Sequence, residues 1–262
     1  MKKVQKMLSF IMAVMMLIGC CSVMSFAADD KITVSLRIES VSECVYYSNV
    51  TVESNASVLD VIKTADANDD KLTVTIEPSV FGDYIKAVNG VVAGSYTPVG
   101  FDGWLCRVDG IAPDVALGKW PASDGDEIVL HYGDPYGVGI QYPVMDASEI
   151  SDGVISFTST DVTYEGITPV EKVNTVTDYT LVWGYSGKTV EITPDENGVC
   201  KVPYKYLTLG SHSVQIERYD AKTGLPTVLR FAPDTCVTIG FFDALSAFFN
   251  MIIEAISSLF GA

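Results

Sequence analysis

Few side chains in this chain can do chemistry. Its 262 residues include two histidines, His131 and His212, so imidazole acid–base catalysis and histidine-built metal sites have almost no material. Both fall in stretches that read as strands of separate domains, where a hydrogen-bonded structural histidine is expected. Six cysteines occur, of which Cys20 and Cys21 sit in an apolar N-terminal segment. Cys44, Cys106, Cys200 and Cys236 form no Cys-x-x-Cys pair, which leaves zinc and thioredoxin chemistry unsupported. An even set in an exported chain points to disulfides. Of three connectivities, Cys44–Cys106 with Cys200–Cys236 is expected, because each pair falls within one domain; four buried free thiols are the alternative. No Gly-x-Ser-x-Gly elbow, Walker loop, dinucleotide glycine set or His-Glu-x-x-His is present. In Gly184-Tyr185-Ser186-Gly187 the second glycine comes one position early for an elbow, and the stretch reads as a turn. Carboxylates are plentiful, yet no pattern focuses two of them on a cleft as glycoside hydrolysis needs. Asp66-Ala67-Asn68-Asp69-Asp70 lacks the alternating ligands, central glycine and closing glutamate of a calcium loop. The expectation is a non-catalytic protein without a metal centre.

Charge and composition narrow the partners. Against 17 Lys and Arg stand 33 Asp and Glu, a net charge of −16, and phosphate neutralisation needs clustered basic residues that are missing here, so no nucleic-acid partner is expected. A hydrophobic fraction of 48% with 19% charged residues is globular in character, and the length allows one or two cores. Residues 1–27 read as a secretory signal, with Lys2, Lys3 and Lys6 before an apolar run and Ser25-Phe26-Ala27 supplying small residues for cleavage. Lipidation at Cys20, in Leu17-Ile18-Gly19-Cys20, is the competing outcome, and an uncleaved anchor the least expected one. A secreted or cell-surface protein is expected.

The elements that would position a site begin at Lys31. Ile32, Val34, Leu36 and Ile38 alternate with Thr33, Ser35, Arg37 and Glu39, the period of a half-buried strand. A second strand follows over residues 48–53. The period then changes: Val58, Leu59, Ile62 and Ala65 share one helical face, with Ser57 as N-cap. Strands return over 72–76, 84–88, 103–108 and 127–132, punctuated by Asn89-Gly90 and Asp109-Gly110, dipeptides that tolerate positive φ. Two strands, a helix and further strands make a β-grasp-like α+β domain over residues 28–135.

These residues carry a resemblance. A helix opening Ser57-Val58-Leu59-Asp60-Val61-Ile62, then Gly103-Trp104-Leu105-Cys106-Arg107-Val108-Asp109-Gly110, then Gly125-Asp126-Glu127-Ile128 with Tyr132 resemble, in that order, the C-terminal domain of the transcobalamin and intrinsic factor family. The resemblance covers about two-fifths of the chain. It implies a small β-rich module that, in those carriers, covers one face of cobalamin. The large helical barrel that completes the site in the carriers has no counterpart here, since no repeat of helical hairpins occurs. If a flat ligand is held, Trp104, Trp120, Tyr132 and Tyr136 are the candidate grips, because such a ligand needs apolar faces with few polar anchors. Asn89 and Asp109, at hairpin tips, are the candidate hydrogen-bonding groups.

Residues 136–149 read as a linker, and 150–239 as an immunoglobulin-like β-sandwich of short strands. Tyr179, Leu181 and Trp183 alternate onto one face there. Residues 240–262 read as an amphipathic helix: apolar positions dominate, while Asp243, Ser246, Asn250, Glu254, Ser257 and Ser258 form a narrow polar stripe. Spanning a bilayer is disfavoured by Asp243 and Glu254, so docking on a protein partner, a second copy or the chain's own domains is expected. The whole reads as mainly β. Its expected function is that of an exported, non-catalytic binding or interaction protein. A carrier for a corrinoid or other flat small molecule is the alternative, and an accessory to a carbohydrate-active enzyme the next.

Overall fold

Side-chain alternation builds the first sheet. The computed structural model describes residues 30–165 and 168–260; residues 1–27, on which the expected secretory signal and Cys20 fall, lie outside the described residues. Strands β1 (Lys31–Glu39) and β2 (Cys44–Glu53) form an antiparallel hairpin. Val34, Leu36 and Ile38 all point inward, at 1% exposure or less, as the period of two requires. Helix α1 (Val58–Asn68) starts at a reciprocal cap: the Ser57 hydroxyl accepts from the Asp60 amide, and the Asp60 carboxylate accepts from the Ser57 amide. That satisfies two amides which the first helical turn leaves unpaired. Val58, Leu59, Val61, Ile62 and Ala65 of α1 then bury against the sheet.

A small antiparallel sheet follows, of β3 (Val74–Glu77), β4 (Tyr84–Val88) and β5 (Val91–Val92). Strands β6 (Gly103–Val108) and β7 (Glu127–Gly133) complete the main sheet in the order β2-β1-β7-β6, with β7 parallel to β1. First and last strands side by side at the centre, with one helix across the face, form the expected β-grasp-like arrangement.

The remaining strands form two facing sheets. One contains β8 (Pro143–Asp146), β9 (Val154–Glu165), β10 (Thr168–Thr175) and β13 (Val199–Lys201). The other runs in the order β12 (Lys188–Ile192), β11 (Thr180–Tyr185), β14 (Gly210–Glu217), β15 (Cys236–Ile239). Ile155, Phe157 and Cys200 from the first meet Leu181, Trp183, Val214 and Ile216 from the second in one core. Tyr179 and Trp183 keep their polar ends paired, the hydroxyl to the Gly198 carbonyl at 2.9 Å and the indole to the Tyr206 carbonyl at 3.3 Å. Helix α2 (Phe241–Phe260) closes the described chain.

Two expectations change. Residues 136–149 are not a free tether: β8 pairs with β9, and the Gln141 amide and carbonyl bond Thr227 and Leu229. A segment running beside an open strand edge finds partners for its own backbone. The disulfides are absent, and all four cysteines in the described residues are free thiols. Cys44 and Cys106 lie on β2 and β6, opposite edges of the sheet. Three strand spacings, about 14 Å, separate those edges, twice the reach of a disulfide. Cys200 points into the sandwich core from one sheet while Cys236 is exposed on the other, so their side chains diverge.

Glu39 joins the two parts. It is 3% exposed, and its carboxylate meets Arg37 at 3.2 Å and Arg230 at 2.6 Å. Arg37 also donates to the Arg230 carbonyl, and Arg230 to the Ser42 carbonyl. Beside them the Tyr47 hydroxyl donates to Asp234 at 2.8 Å.

Two outcomes follow. Arg230→Ala strips Glu39 of its second cation and should destabilise the chain by about 3–5 kcal/mol in urea titration, the usual cost of leaving a buried charge half-paired. Maleimide labelling read by peptide mass should modify exposed Cys236 in the native protein. Cys200 should react only after unfolding, because burial excludes reagent and pushes its thiol up to about 11.

Candidate functional site

The site is assembled from β6, β7 and three loops around them. Trp104 of β6 and Tyr132 of β7 are cross-strand partners, with ring centroids 5.3 Å apart at 85°, an edge-to-face contact. Tyr132 is wholly buried. A third ring, Tyr96, meets Tyr132 from the loop before β6 at 5.4 Å. The Trp104 indole donates to the Val91 carbonyl at 3.0 Å, so one edge of the ring is held while the rest lines a cleft.

A buried carboxylate holds that loop. Asp102, 2% exposed, accepts from the Tyr96 and Thr97 amides, the Thr97 hydroxyl and the Tyr132 hydroxyl, all within 2.5–3.0 Å. Burial by itself raises its pKa, but the bonds from Thr97, Tyr132 and Tyr96 outweigh burial and hold the carboxyl down at about 2. The same pairing, added to burial, pushes the Tyr132 phenol up to about 12. On the far side Asp134 does a similar job. Its carboxylate accepts from the Tyr136 and Gly137 amides at 3.2 and 2.8 Å, and a Cβ at position 137 would collide with that carboxylate. Glycine is required there for space.

Between these supports lies a cleft of about 520 Å³, within the range of small-molecule sites. Trp104, Leu105 and Cys106 of β6 line it, with Tyr84, Ile85, Val115 to Leu117 and Tyr142. Phe81 and Tyr136 stand on its rim at 86% and 85% exposure. Phe101 packs edge-on to Tyr136, and Val80, Val99 and Ile111 are also more than half exposed. Tyr142 is rigidly mounted: the Arg107 guanidinium lies 3.8 Å over its ring, and its hydroxyl is 3.2 Å from His131 Nε2. Burial lowers the His131 pKa to about 3, which keeps the ring neutral. Burial likewise pushes the Cys106 thiol up to about 12, so it is a weak nucleophile at neutral pH. A groove on the sandwich, about 600 Å³, is lined by polar residues such as Ser186, Lys188, Ser213 and Asp234 and has no comparable apolar wall.

The residues singled out from sequence divide. Trp104 and Tyr136 line the cleft. Tyr132 stands behind Trp104 as support. Trp120 packs against the core beside α1. Asn89 and Asp109 have φ of 47° and 49°, and their carboxamide and carboxylate oxygens accept the Thr73 and Glu127 amides, both at 2.8 Å; they shape turns away from the cleft lining. Phe81, Tyr84, Val115, Tyr142 and Asp102 were not anticipated. The sequence signal for Phe81 is an apolar pair, Val80-Phe81, between Ser79 and Gly82, outside any strand period. His212 is buried in the sandwich, its ring nitrogens 2.8 and 2.6 Å from the Gly184 and Thr208 carbonyl oxygens. Among the described residues no group of three or more His, Cys, Asp or Glu is placed to hold a metal ion.

No family model and no curated protein matches the chain. Among solved structures it is similar to haptocorrin in complex with Cbi, at 22% identity and a TM-score of 0.37, covering 42% of this chain and 27% of that one. It is also similar to a Ruminococcus gnavus ATCC 29149 protein described as metal binding, at 16% identity and a TM-score of 0.31, covering 40% of this chain and 99% of that one. The chain thus spans about a quarter of the haptocorrin chain.

Asp102 makes the loop acid-sensitive. A carboxyl depressed in the folded state stabilises above its ordinary pKa, 3.8, and that contribution is lost as pH falls through the folded value near 2. Tryptophan fluorescence during unfolding between pH 5 and pH 2 (a range chosen to bracket both values) should show this loss, and Asp102→Asn should flatten it. At neutral pH the same variant should cost about 1–3 kcal/mol, because a buried donor loses its charged acceptor.

Proposed function

We propose that this chain is an exported, non-catalytic binding protein that takes a flat, mainly apolar small molecule in the Trp104–Tyr136 cleft. The observation that carries the reading is the rim: Phe81 and Tyr136 are almost fully exposed beside an apolar cleft, Phe81 on a turn held by the Ser79 hydroxyl and Tyr136 on the loop pinned by Asp134. Soluble chains do not keep aromatic side chains in water at no cost, and a preformed apolar cleft with a few polar groups is what small-molecule recognition uses. Ser79, Asp83 and the Tyr142 ring line the same space and would fix orientation. The resemblance to the transcobalamin C-terminal module makes a corrinoid the first ligand class to test. In this reading the domain offers one face to the ligand.

The test is titration of the full chain with cobalamin, cobinamide and haem, followed by absorbance and calorimetry. Saturable binding of at least one is expected, and Phe81→Ala or Tyr136→Ala should weaken it by about 5–30-fold, the scale of a lost aromatic anchor. Both side chains are solvent-exposed, so the variants should fold. Absence of heat and absorbance change with all three ligands would remove the small-molecule reading and leave recognition of a macromolecule.

A further inference from the structure

Helix α2 sits on its own domain the wrong way round for a monomer. Ala244 and Ala247 pack into the sandwich core, Ala247 at 1% exposure, against the 3-10 turns Ile150–Asp152 and Tyr204–Tyr206. Asp243, Ser246 and Asn250 flank that contact and are half-buried, and the Asp243 carboxylate accepts the Gly240 amide at 3.1 Å. The first half of the polar stripe therefore faces the protein. At 100° per residue the opposite side carries Phe241, Phe242, Leu245, Phe248, Phe249, Ile252, Ile253 and Ile256, whose exposures run from 37% to 82%. From residue 251 to 258 every residue is exposed.

We infer that this outer face is an interface with a second copy of the chain. The four phenylalanines alone hold about 500 Å² of exposed surface, at roughly 200 Å² per ring. The aliphatic residues bring the face to about 800 Å², the area that each partner of a standard dimer contributes. A monomer rarely leaves that much apolar surface in water. Its chemistry suits self-pairing. The face carries no charge, so two chains of net charge −16 can meet there without opposing charges of one sign, and a two-fold axis makes one apolar stripe complementary to itself. A helix of 20 residues presents about 30 Å of that stripe.

A bilayer fits less well. By length and composition Phe241–Ser258 is long and apolar enough to cross one. Crossing would strip Ala244 and Ala247 from the core and carry Glu254 into hydrocarbon. Lying on a lipid surface would lack the Lys and Arg that draw such helices to anionic headgroups. A second copy covers the outer face with the inner one still docked.

Light scattering on the full chain should report a dimer, and the variant Phe248→Glu/Ile252→Glu should halve the mass at equal concentration. Both positions face solvent, and an unchanged circular dichroism spectrum would show that the domains remain folded. The inference fails if the full chain is a monomer, or if its assembly survives the double substitution. It also fails if the chain floats with neutral phosphatidylcholine vesicles and loses that property in the variant, which would make lipid the occupant. Ligand titration reads a different surface, so either result leaves the cleft reading intact.

Discussion

A charge taken out of water holds this molecule together. Glu39 ends β1 at 3% exposure, and a bare carboxylate there would cost several kcal/mol. Arg37, two residues earlier on the same strand, and Arg230, from the far end of the chain, neutralise it. The first domain therefore needs the second at this point, since Arg230 can reach Glu39 only while the two are docked. The effect extends toward the cleft along the neighbouring strand. Glu39 is the parallel partner of His131 on β7. His131 meets Tyr142, the next residue meets Asp102, and two further on Asp134 holds Tyr136. One strand thus links the interdomain charge cluster to three supports of the cleft.

The acidity of the chain has a structural use at those supports. Asp102 and Asp134 are both 2% exposed, and each turns its oxygens onto backbone amides of its own loop. Bonds of this type to a charged acceptor are stronger than neutral ones, so a short loop can be held largely through its backbone, with Tyr96 packing inward on Tyr132. That frees the aromatic side chains of the same loops, Phe101 and Tyr136, to point outward. An apolar rim on a strongly acidic protein is stable for this reason: polar bonds fix the backbone, and the rings need not be buried to hold the loop.

Helix α2 shows the same separation of duties. Small residues give a close approach to the sandwich, with Ala247 in the core, while the large residues stay outside. Were the domain contact meant to stabilise a monomer, phenylalanine and isoleucine would face inward, where each buried large side chain contributes about 1.5–3 kcal/mol.

The sequence determined what depends on near neighbours in the chain. The alternation of residues 32–38, the Ser57–Asp60 cap and the positive φ at Asn89 and Asp109 are local, because side-chain direction, helix capping and turn sterics act over a few residues. They were enough to read a β-grasp-like unit, a sandwich and a terminal helix. Tertiary structure decided what depends on which strands and loops meet. The cysteines looked pairable until sheet order put Cys44 and Cys106 on opposite edges. Tyr132 and Tyr136 are four residues apart and both aromatic, yet one is a buried prop and the other a rim, since only the layer above a strand sets its exposure. The cleft gathers Phe81, Trp104, Val115 and Tyr142 from separate segments, and Arg230 reaches Glu39 across 191 residues. Such long-range contacts leave no period in the sequence, because they are fixed by packing between elements and not by the chain that runs through each one.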